Sequence, residues 1–334
     1  MDLGIQPFPR SAVVVLGERS ERRRDVLRYV RIGMLAGFAV ILVMLVDLPL
    51  LRRSIAEARW RIFIVGAALT PLIYLIRSVR LQYLLREGGK DVALADCARV
   101  SVVGVAMSLV LPGGSGDVAK SYYGYHLTGI REEMLSTSVV EKMIGLFSVF
   151  ILGAVSFVWV DETFIQAVSF AGILVVGVFL LAPGILPWKT LAAVVRRVLR
   201  RELDPARLRR GASLGGRPIG IALGLSMAIW GVTIVQLYFF AHAFGAHVSM
   251  AYLFSVYPLV VVMSNVPVTA GSVGTFEGGI VFFFHRAGVE PTVSLLVAFA
   301  VRMVTQVAPA AAGGCLLWRM RNAPGHAHER TVSS

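Results

Sequence analysis

The chain has 334 residues, of which 56% are hydrophobic and 16% are charged, and its mean hydropathy is +0.73. This composition excludes an ordinary soluble domain and predicts a polytopic membrane protein. A formal net charge of +13 favours nucleic-acid binding in a soluble protein. Here the arginines flank apolar stretches, so the expected partners are anionic lipid headgroups and not nucleic acid.

The first predicted element is a membrane-spanning helix at about residues 32–51, preceded by a run of arginines within a basic segment at 1–30. Positive charge ahead of the first span predicts a cytoplasmic N-terminus, and the apolar stretch is too long for the core of a removable signal peptide. A second span is predicted at 63–85. Near its end Arg77 and Arg80 lie close to an aromatic residue, which is typical of a helix that leaves the membrane on the cytoplasmic side.

Two apolar segments are interrupted by tips that are rich in proline and glycine and also carry a carboxylate. The first segment covers about residues 93–125 and is broken by Leu-Pro-Gly-Gly-Ser-Gly-Asp at 111–117. The second is broken at 265–277 and leads into Glu277. Lipid cannot satisfy the backbone groups that such breaks leave open, so each tip is expected to face protein or a water-filled cavity. Paired breaks in the two halves of a chain predict a transport site near the bilayer midplane.

The connection at 187–217 sets the predicted orientation of the chain. It carries eight arginines against only Glu202 and Asp204. This excess of positive charge predicts a cytoplasmic linker, either as a helix on the inner leaflet or as a solvated loop. The remaining predicted spans cover about residues 136–160, 164–186, 219–240 and 292–318, and the tail at 320–334 is predicted to be disordered and cytoplasmic.

The number of crossings puts the basic linker and the C-terminus on one side only if each broken segment is a hairpin that returns to its side of entry. The fold class is therefore predicted to be an all-α polytopic integral membrane protein, with about six full transmembrane helices plus two re-entrant broken-helix hairpins in an inverted repeat. A single membrane domain covers 31–319, with repeats at 31–160 and 164–319. Arginines at 52–61 fall on a loop that this scheme places outside, and the larger linker cluster outweighs them.

Four features together resemble one known family: the tip at 111–117, the helix start Ser-Val-Val-Glu-Lys at 138–142, the tip at 267–277, and Arg302 in the last span. They are similar to the lysylphosphatidylglycerol synthase transmembrane (flippase-like) family, over about residues 30–319. In that family Arg is usual where this chain has Lys142, which keeps the charge and loses the bidentate phosphate geometry.

The resemblance implies a membrane domain linked to moving lipid between leaflets. The best-known members fuse this domain to a soluble aminoacyl-transferase domain. The present chain ends just after the last predicted span, so aminoacyl transfer is not expected. Stand-alone relatives are associated with lipid-linked sugars, hopanoids or other envelope lipids, which leaves the cargo open.

Three charged residues near or within apolar segments are the main candidates for binding. Asp117 and Glu277 follow the tips, where each either caps the next half-helix or contacts cargo. Arg302 is too deep in its span to reach water easily, so it is expected to meet a carboxylate or a lipid phosphate, with a purely structural ion pair as the alternative. The glycines bring backbone close to a headgroup or serve helix packing. The predicted substrate-binding residues are Pro112, Gly113, Gly114, Gly116, Asp117, Glu141, Lys142, Asn265, Pro267, Gly271, Gly274, Glu277 and Arg302.

Other chemistries find little support in the sequence. The segment at 114–121 ends in Lys-Ser like a phosphate-binding loop, but Ala119 replaces the required glycine and Asp117 would repel nucleotide phosphates. The histidines show no metal-ligand or nucleophile–base spacing, and Cys97 and Cys315 are too far apart in sequence to indicate a disulfide framework. No catalytic residue, metal or cofactor is predicted.

The predicted function is a flippase-like transporter, not an enzyme, that moves an amphiphilic lipid between leaflets of the plasma (inner) membrane. The lipid is expected to be anionic or glycosylated, such as a phospholipid, a polyprenyl-linked sugar or a hopanoid. Two alternatives remain: an enzyme that modifies a lipid headgroup, and a non-transporting scaffold for a lipid-modifying complex. Membrane lipids are the expected partners, with a lipid-modifying enzyme and a second copy of the chain as further candidates.

Overall fold

Helices account for all regular secondary structure in the described part of the chain. The computed structural model describes residues 47–110, 116–130, 132–155, 163–185, 188, 190, 204–265 and 272–321. The helices are α1 Leu48–Ala56, α2 Trp60–Glu87, α3 Leu94–Val110, α4 Gly116–Thr128, α5 Glu132–Val155, α6 Thr163–Leu181, α7 Pro205–Ala212, α8 Gly216–Ala243, α9 Met250–Asn265, α10 Thr275–Arg286, α11 Pro291–Arg302 and α12 Ala308–Arg321, with a 3-10 turn at Pro183–Ile185 and a π-helical turn at Met303–Val307.

The long apolar helices establish an α-helical integral membrane protein. Four helical stretches are long and apolar enough to cross a bilayer: α2, α5, α8, and the run from α11 through the π-helical turn to Leu316. These agree with four of the predicted spans. Between them lie shorter apolar helices, including α6 and α9. The described helices belong to one compact unit that begins at Asp47, and the predicted segment at 1–30 lies outside the described residues.

The predicted first span at 32–51 extends too far. A separate helix, α1, begins at Leu48, and its N-cap is Asp47, whose carboxylate accepts a hydrogen bond from the Leu50 backbone N–H at 3.0 Å. Pro49 occupies the first turn of α1, where its missing N–H removes no helical hydrogen bond. The part of the predicted span before Asp47 lies outside the described residues.

The predicted span at 164–186 is also too long. Helix α6 ends at Leu181, and Pro183 follows within two residues. Proline disfavours helical backbone at the residue before it and cannot donate to the preceding turn, so the helix stops there. The short 3-10 turn then packs against α7 of the basic linker, where Gly184 lies against the Arg209 side chain.

Each predicted broken segment consists of two helices that pack against one another. In the first, Gly104 of α3 lies against the side chain of Lys120 of α4. In the second, the Tyr252 hydroxyl of α9 donates to the Phe283 carbonyl of α10 at 2.8 Å. In both cases the two contacting residues are about equally distant in sequence from the break, so the paired helices run antiparallel. The tips at 111–115 and 266–271 lie outside the described residues.

The two helix pairs pack in a reciprocal manner. Helix α3 of the first pair packs against α12, the last helix, whereas α9 of the second pair packs against α5, the long helix of the first half. Helices α2 and α8 lie along one another. A Cβ on Gly66 would lie 2.9 Å from the Phe239 Cβ, so glycine permits this close approach. The largest apolar core surrounds α8, α9, α10 and α11, with Phe240, Leu253 and Phe284 fully buried.

Chain connections gather at the two ends of the long helices. At one end the Asp47 backbone N–H donates to Thr292 Oγ1 at 3.1 Å, and the Arg59 N–H donates to the Ala243 carbonyl at 2.9 Å. At the other end of α2, Lys90 pairs with Glu133 at 3.2 Å. The 28 residues of α2 separate these two ends by about 42 Å, which is the scale of a bilayer with its headgroups.

Candidate functional site

A cavity of about 350 Å³ lies between the two helix pairs. Its wall includes Gly104 and Ser108 of α3, Ser264 of α9, and Ser272, which precedes α10. Helices α2, α5 and α8 supply most of the remaining wall. This volume is within the range of small-molecule sites and is suited to a polar headgroup.

The wall of the cavity is cationic. Among the described residues that line it, the basic side chains are Arg77, Arg80, Lys120 and Lys142, whereas Glu141 is the one acidic side chain. Charges at membrane depth are costly unless they face a partner or a polar cavity. The cationic excess therefore indicates a site that receives negative charge.

Glu141 joins three helices at this wall. Its Oε1 accepts a hydrogen bond from Arg80 Nη2 at 2.9 Å, and its Oε2 accepts one from Lys120 Nζ at 2.5 Å. Arg80 also donates through Nη1 to Ser226 Oγ at 2.5 Å. The relative exposures of Arg80, Lys120 and Glu141 are 9%, 8% and 4%. One buried carboxylate thus pairs with two buried cations and ties α2, α4 and α5 together.

A second buried ion pair lies beside the break of the second segment. Arg302 Nε donates to Glu277 Oε1, and the same carboxylate accepts the Gly274 backbone N–H at 2.8 Å through Oε2. Gly274 is the N-cap of α10 with φ of +92°, a conformation that glycine adopts without strain. Glu277 is 1% exposed. It therefore caps α10 and pairs with Arg302 at the same time.

Arg302 makes further contacts that order the start of α10. Its Nη2 donates to the Ser272 carbonyl at 3.1 Å, and its Nη1 donates to Gln306 Oε1 at 3.3 Å. Its guanidinium carbon lies 5.5 Å from the centre of the Phe276 ring. Neither Arg302 nor Glu277 is among the described residues of the cavity wall, although Ser272, Phe276 and Gln306 are. The pair lies behind the wall and positions it.

A π-helical turn follows directly after Arg302. It covers Met303–Val307 and brings Thr305 and Gln306 to the cavity. The Tyr74 hydroxyl of α2 donates to the Thr305 carbonyl at 2.9 Å, which connects the turn to α2. Single π-helical turns are rare and occur often at functional sites.

Aromatic side chains form another part of the wall. Trp230 and Tyr257 meet edge to face with ring centres 6.3 Å apart, and both line the cavity. The Trp230 indole donates to the Gly145 carbonyl at 3.1 Å. This hydrogen bond fixes the indole at the wall, where the two rings add an apolar surface to a charged site.

The structure brings some of the predicted residues to the cavity and places others nearby. Glu141 and Lys142 line the wall. Gly274, Glu277 and Arg302 form the cluster behind Ser272 and Phe276 described above. Gly116 and Asp117 begin α4, and Asn265 ends α9. The residues Pro112, Gly113, Gly114, Pro267 and Gly271, and the side chains of Asp117 and Asn265, lie outside what the structure describes.

Three cationic residues of the wall were missed by the sequence analysis. Arg77 and Arg80 were interpreted as marking a membrane edge, but α2 continues to Glu87, and Arg80 is buried against Glu141. Lys120 was considered only within an imperfect phosphate-binding loop. A basic residue in an apolar helix directly after a broken tip is a signal that could have identified it. Among the described residues, no group of three or more His, Cys, Asp or Glu side chains is placed to hold a metal ion.

Comparison with known proteins gives two findings. The family model described as "Lysylphosphatidylglycerol synthase TM region" matches residues 30–313. A UPF0104 membrane protein from Methanothermobacter thermautotrophicus is 21% identical over 273 residues, which cover 72% of this chain and 80% of that protein. The family model extends over the helices that form the cavity.

Proposed function

Since this chain belongs to the lysylphosphatidylglycerol synthase transmembrane family, we propose that it is a flippase-like transporter that moves an amphiphilic envelope lipid between the leaflets of the plasma membrane. The observation that carries the proposal is the cationic cavity enclosed by both helix pairs and the long helices. A lipid headgroup occupies this cavity during transport, while its hydrocarbon chains stay in the bilayer.

The proposed topology has about six full transmembrane helices and two re-entrant hairpins related as an inverted repeat. The α3–α4 hairpin enters from the cytoplasm, and the α9–α10 hairpin enters from outside. Two observations support this arrangement: each helix pair is antiparallel, and each hairpin packs against the long final helix of the other half. Both chain termini and the basic linker at 187–217 then lie in the cytoplasm.

Transport in such an arrangement needs movement of one half relative to the other around a fixed site. The cavity is enclosed by helices of both halves, so a small rotation between them would expose it first to one leaflet and then to the other. The lipid's own gradient or a coupled ion supplies the driving force. Membrane lipids are the proposed partners, and an enzyme that makes or consumes the transported lipid is a further one.

Two glycines offer a matched test of the cavity. Gly145 of α5 lines the cavity and Gly220 of α8 is exposed, and a Cβ added at either position meets nothing within 4 Å. A leucine at Gly145 would fill the cavity without a clash at its Cβ, whereas a leucine at Gly220 would extend away from the protein. We therefore expect Gly145→Leu to abolish transport and Gly220→Leu to retain it.

The measurement uses purified chain in vesicles that contain a lipid with a fluorescent acyl chain and an impermeant quencher outside. Loss of the protected inner-leaflet fluorescence reports transport. Transport by wild type and Gly220→Leu, but not by Gly145→Leu or by protein-free vesicles, supports the proposal. Equal transport by both glycine variants would show that the lipid takes another route. A chemically altered lipid recovered from vesicles with wild type would favour the enzyme alternative.

A further inference from the structure

We propose that Arg77, with Arg80 and Lys120, holds the phosphate of a net-anionic lipid headgroup, and that the cationic wall excludes aminoacylated headgroups. This inference rests on the proposed function, because it names the class of lipid that the cavity accepts. It concerns a residue, Arg77, that the sequence analysis did not include in the site.

Arg77 is the cation best placed to bind a ligand. It is half-buried, lines the cavity and makes no ion pair with another described residue. Its guanidinium carbon lies 5.5 Å from the centre of the Tyr74 ring, one turn earlier on the same helix. Tyr74 is itself held by its hydrogen bond to Thr305. Arginine presents parallel N–H donors that match two phosphate oxygens, and stacking on a fixed ring orients it before a ligand arrives.

Arg80 and Lys120 add to the positive potential beside Arg77. Arg80 follows Arg77 by one turn on α2, and both residues line the same cavity. Arg80 and Lys120 both pair with the carboxylate of Glu141, which holds them at the wall. Among the described residues that line the cavity, four basic side chains face one carboxylate, and such an excess favours an anion. A phosphate therefore gains from all three cations, with Arg77 making the most direct contact.

The same charges act against a cationic headgroup. The hairpin tips at 111–115 and 266–271 contain no ionisable side chain, and Asp117 is the one carboxylate that follows directly on the first of them. Adding that single charge would leave the wall in cationic excess. A lysyl ester on phosphatidylglycerol brings two ammonium groups, which this wall would repel. We therefore expect the cavity to accept phosphatidylglycerol and to reject lysylphosphatidylglycerol.

Binding is tested by native mass spectrometry of the full chain in detergent, with phosphatidylglycerol, lysylphosphatidylglycerol and phosphatidylethanolamine as probes. Wild type should bind phosphatidylglycerol best. In Arg77→Gln its affinity should fall by about tenfold, the equivalent of one charge-assisted hydrogen bond. Arg77→Lys, which keeps the charge and loses the two parallel N–H donors of the guanidinium group, should give an intermediate affinity. The matched control is Arg86→Gln on the same helix, since Arg86 is exposed and pairs with Asp91 outside the cavity.

Several outcomes would overturn the inference. Equal binding of the anionic and lysylated lipids would remove the charge selection, and equal loss in Arg77→Gln and Arg86→Gln would remove the role of Arg77. Soluble glycerol phosphate is added as a competitor. If it bound as tightly as the lipid, the cavity would be a site for a free phosphate compound. The thermal stability of each variant is measured alongside, so that a folding defect is recognised.

A transport measurement with the same lipids in vesicles separates this inference from the proposed function. Selective binding that depends on Arg77, without transport of any probe, would contradict the transporter and retain the headgroup site. Transport of all three lipids at equal rates, unaffected by Arg77→Gln, would retain the transporter and contradict the headgroup assignment. The inference expects transport of phosphatidylglycerol and its loss in Arg77→Gln.

Discussion

Glu277 and Arg302 pair inside the protein, with residue exposures of 1% and 6%, and connect the second helix of a hairpin to the long helix that follows it. Lys120 and Glu141 likewise connect the second helix of the other helix pair to the long helix that follows it. The charges are exchanged between the two ion pairs: the helix pair carries the acid, Glu277, in one and the base, Lys120, in the other. Only the second of these pairs lines the cavity, so the two pairs are suited to different roles.

Removing either partner of the Glu277–Arg302 pair should destabilise the protein, and the loss of stability should depend on which partner is removed. In Arg302→Gln the buried Glu277 carboxylate keeps only the Gly274 N–H among its described partners, whereas in Glu277→Gln the guanidinium keeps Ser272, Gln306 and the Phe276 ring. Removing one partner of a buried pair costs about 3–5 kcal/mol. We expect the thermal midpoint in mild detergent to fall in both variants, and further in Arg302→Gln.

The control for this prediction is the exposed pair formed by Arg53 and Glu57 on α1, whose side chains are 74% and 65% exposed. Arg53→Gln should change stability by less than about 1 kcal/mol, since exposed pairs contribute little. The double variant Glu277→Gln, Arg302→Gln should lose less stability than the two single variants lose in total, because it leaves neither charge of the pair without its partner. Additive losses would show that the two side chains are not coupled.

Two adjacent glycines in α12 should differ in how substitution by alanine changes the stability of the protein. A Cβ at Gly313 would lie 2.7 Å from the Val102 backbone oxygen, whereas at Gly314 it would meet nothing within 4 Å. Gly313→Ala must push α12 away from α3, at a cost of about 1–3 kcal/mol. Gly314→Ala should be neutral or stabilising by up to about 1 kcal/mol. Thermal unfolding in detergent compares the two, and equal effects would contradict this packing of α3 on α12.

The course of the long helices could be predicted from the sequence because apolar runs of membrane length have few other solutions. The predicted spans at 63–85 and 219–240 agree with α2 and α8 to within three residues at each end. The predicted helix boundaries were wrong where a local capping residue, and not hydropathy, determines where a helix begins. Asp47 with Pro49 starts a new helix inside a predicted span, and this signal was present in the sequence but outweighed by hydropathy.

The site was only partly predictable because its central charges find partners distant in sequence. Arg80 and Glu141 are 61 positions apart, and a basic residue near an aromatic one has the same local pattern at a membrane edge as in a buried wall. The π-helical turn after Arg302 contains neither proline nor glycine to indicate it. Glu141, Lys142, Glu277 and Arg302 could be selected because charge in an apolar segment is costly wherever it occurs.

The proposed topology predicts which positions an impermeant thiol reagent reaches from each side of the membrane. Single cysteines at Glu57 and Ala287, which are exposed at one end of the helices, should react from outside. Cysteines at Glu87 and Ser213, exposed at the other end, should react only after the membrane is opened. The background carries Cys97→Ala and Cys315→Ala, the two native cysteines. Labelling of Glu87 and Ala287 positions from the same side would contradict two re-entrant hairpins.

Glu141→Gln should have opposite effects on stability and on anion binding. Without its carboxylate, Arg80 and Lys120 lose their shared counter-charge, so the protein alone should melt at a lower temperature. An anionic headgroup then replaces the missing charge, so phosphatidylglycerol should raise the thermal midpoint of Glu141→Gln more than that of wild type. Glu277→Gln is the matched control, because the Glu277 carboxylate lies behind the cavity wall. In this variant phosphatidylglycerol should raise the thermal midpoint by as much as it does in wild type. Equal increments in all three proteins would mean that Glu141 and the headgroup do not compete for the same cations.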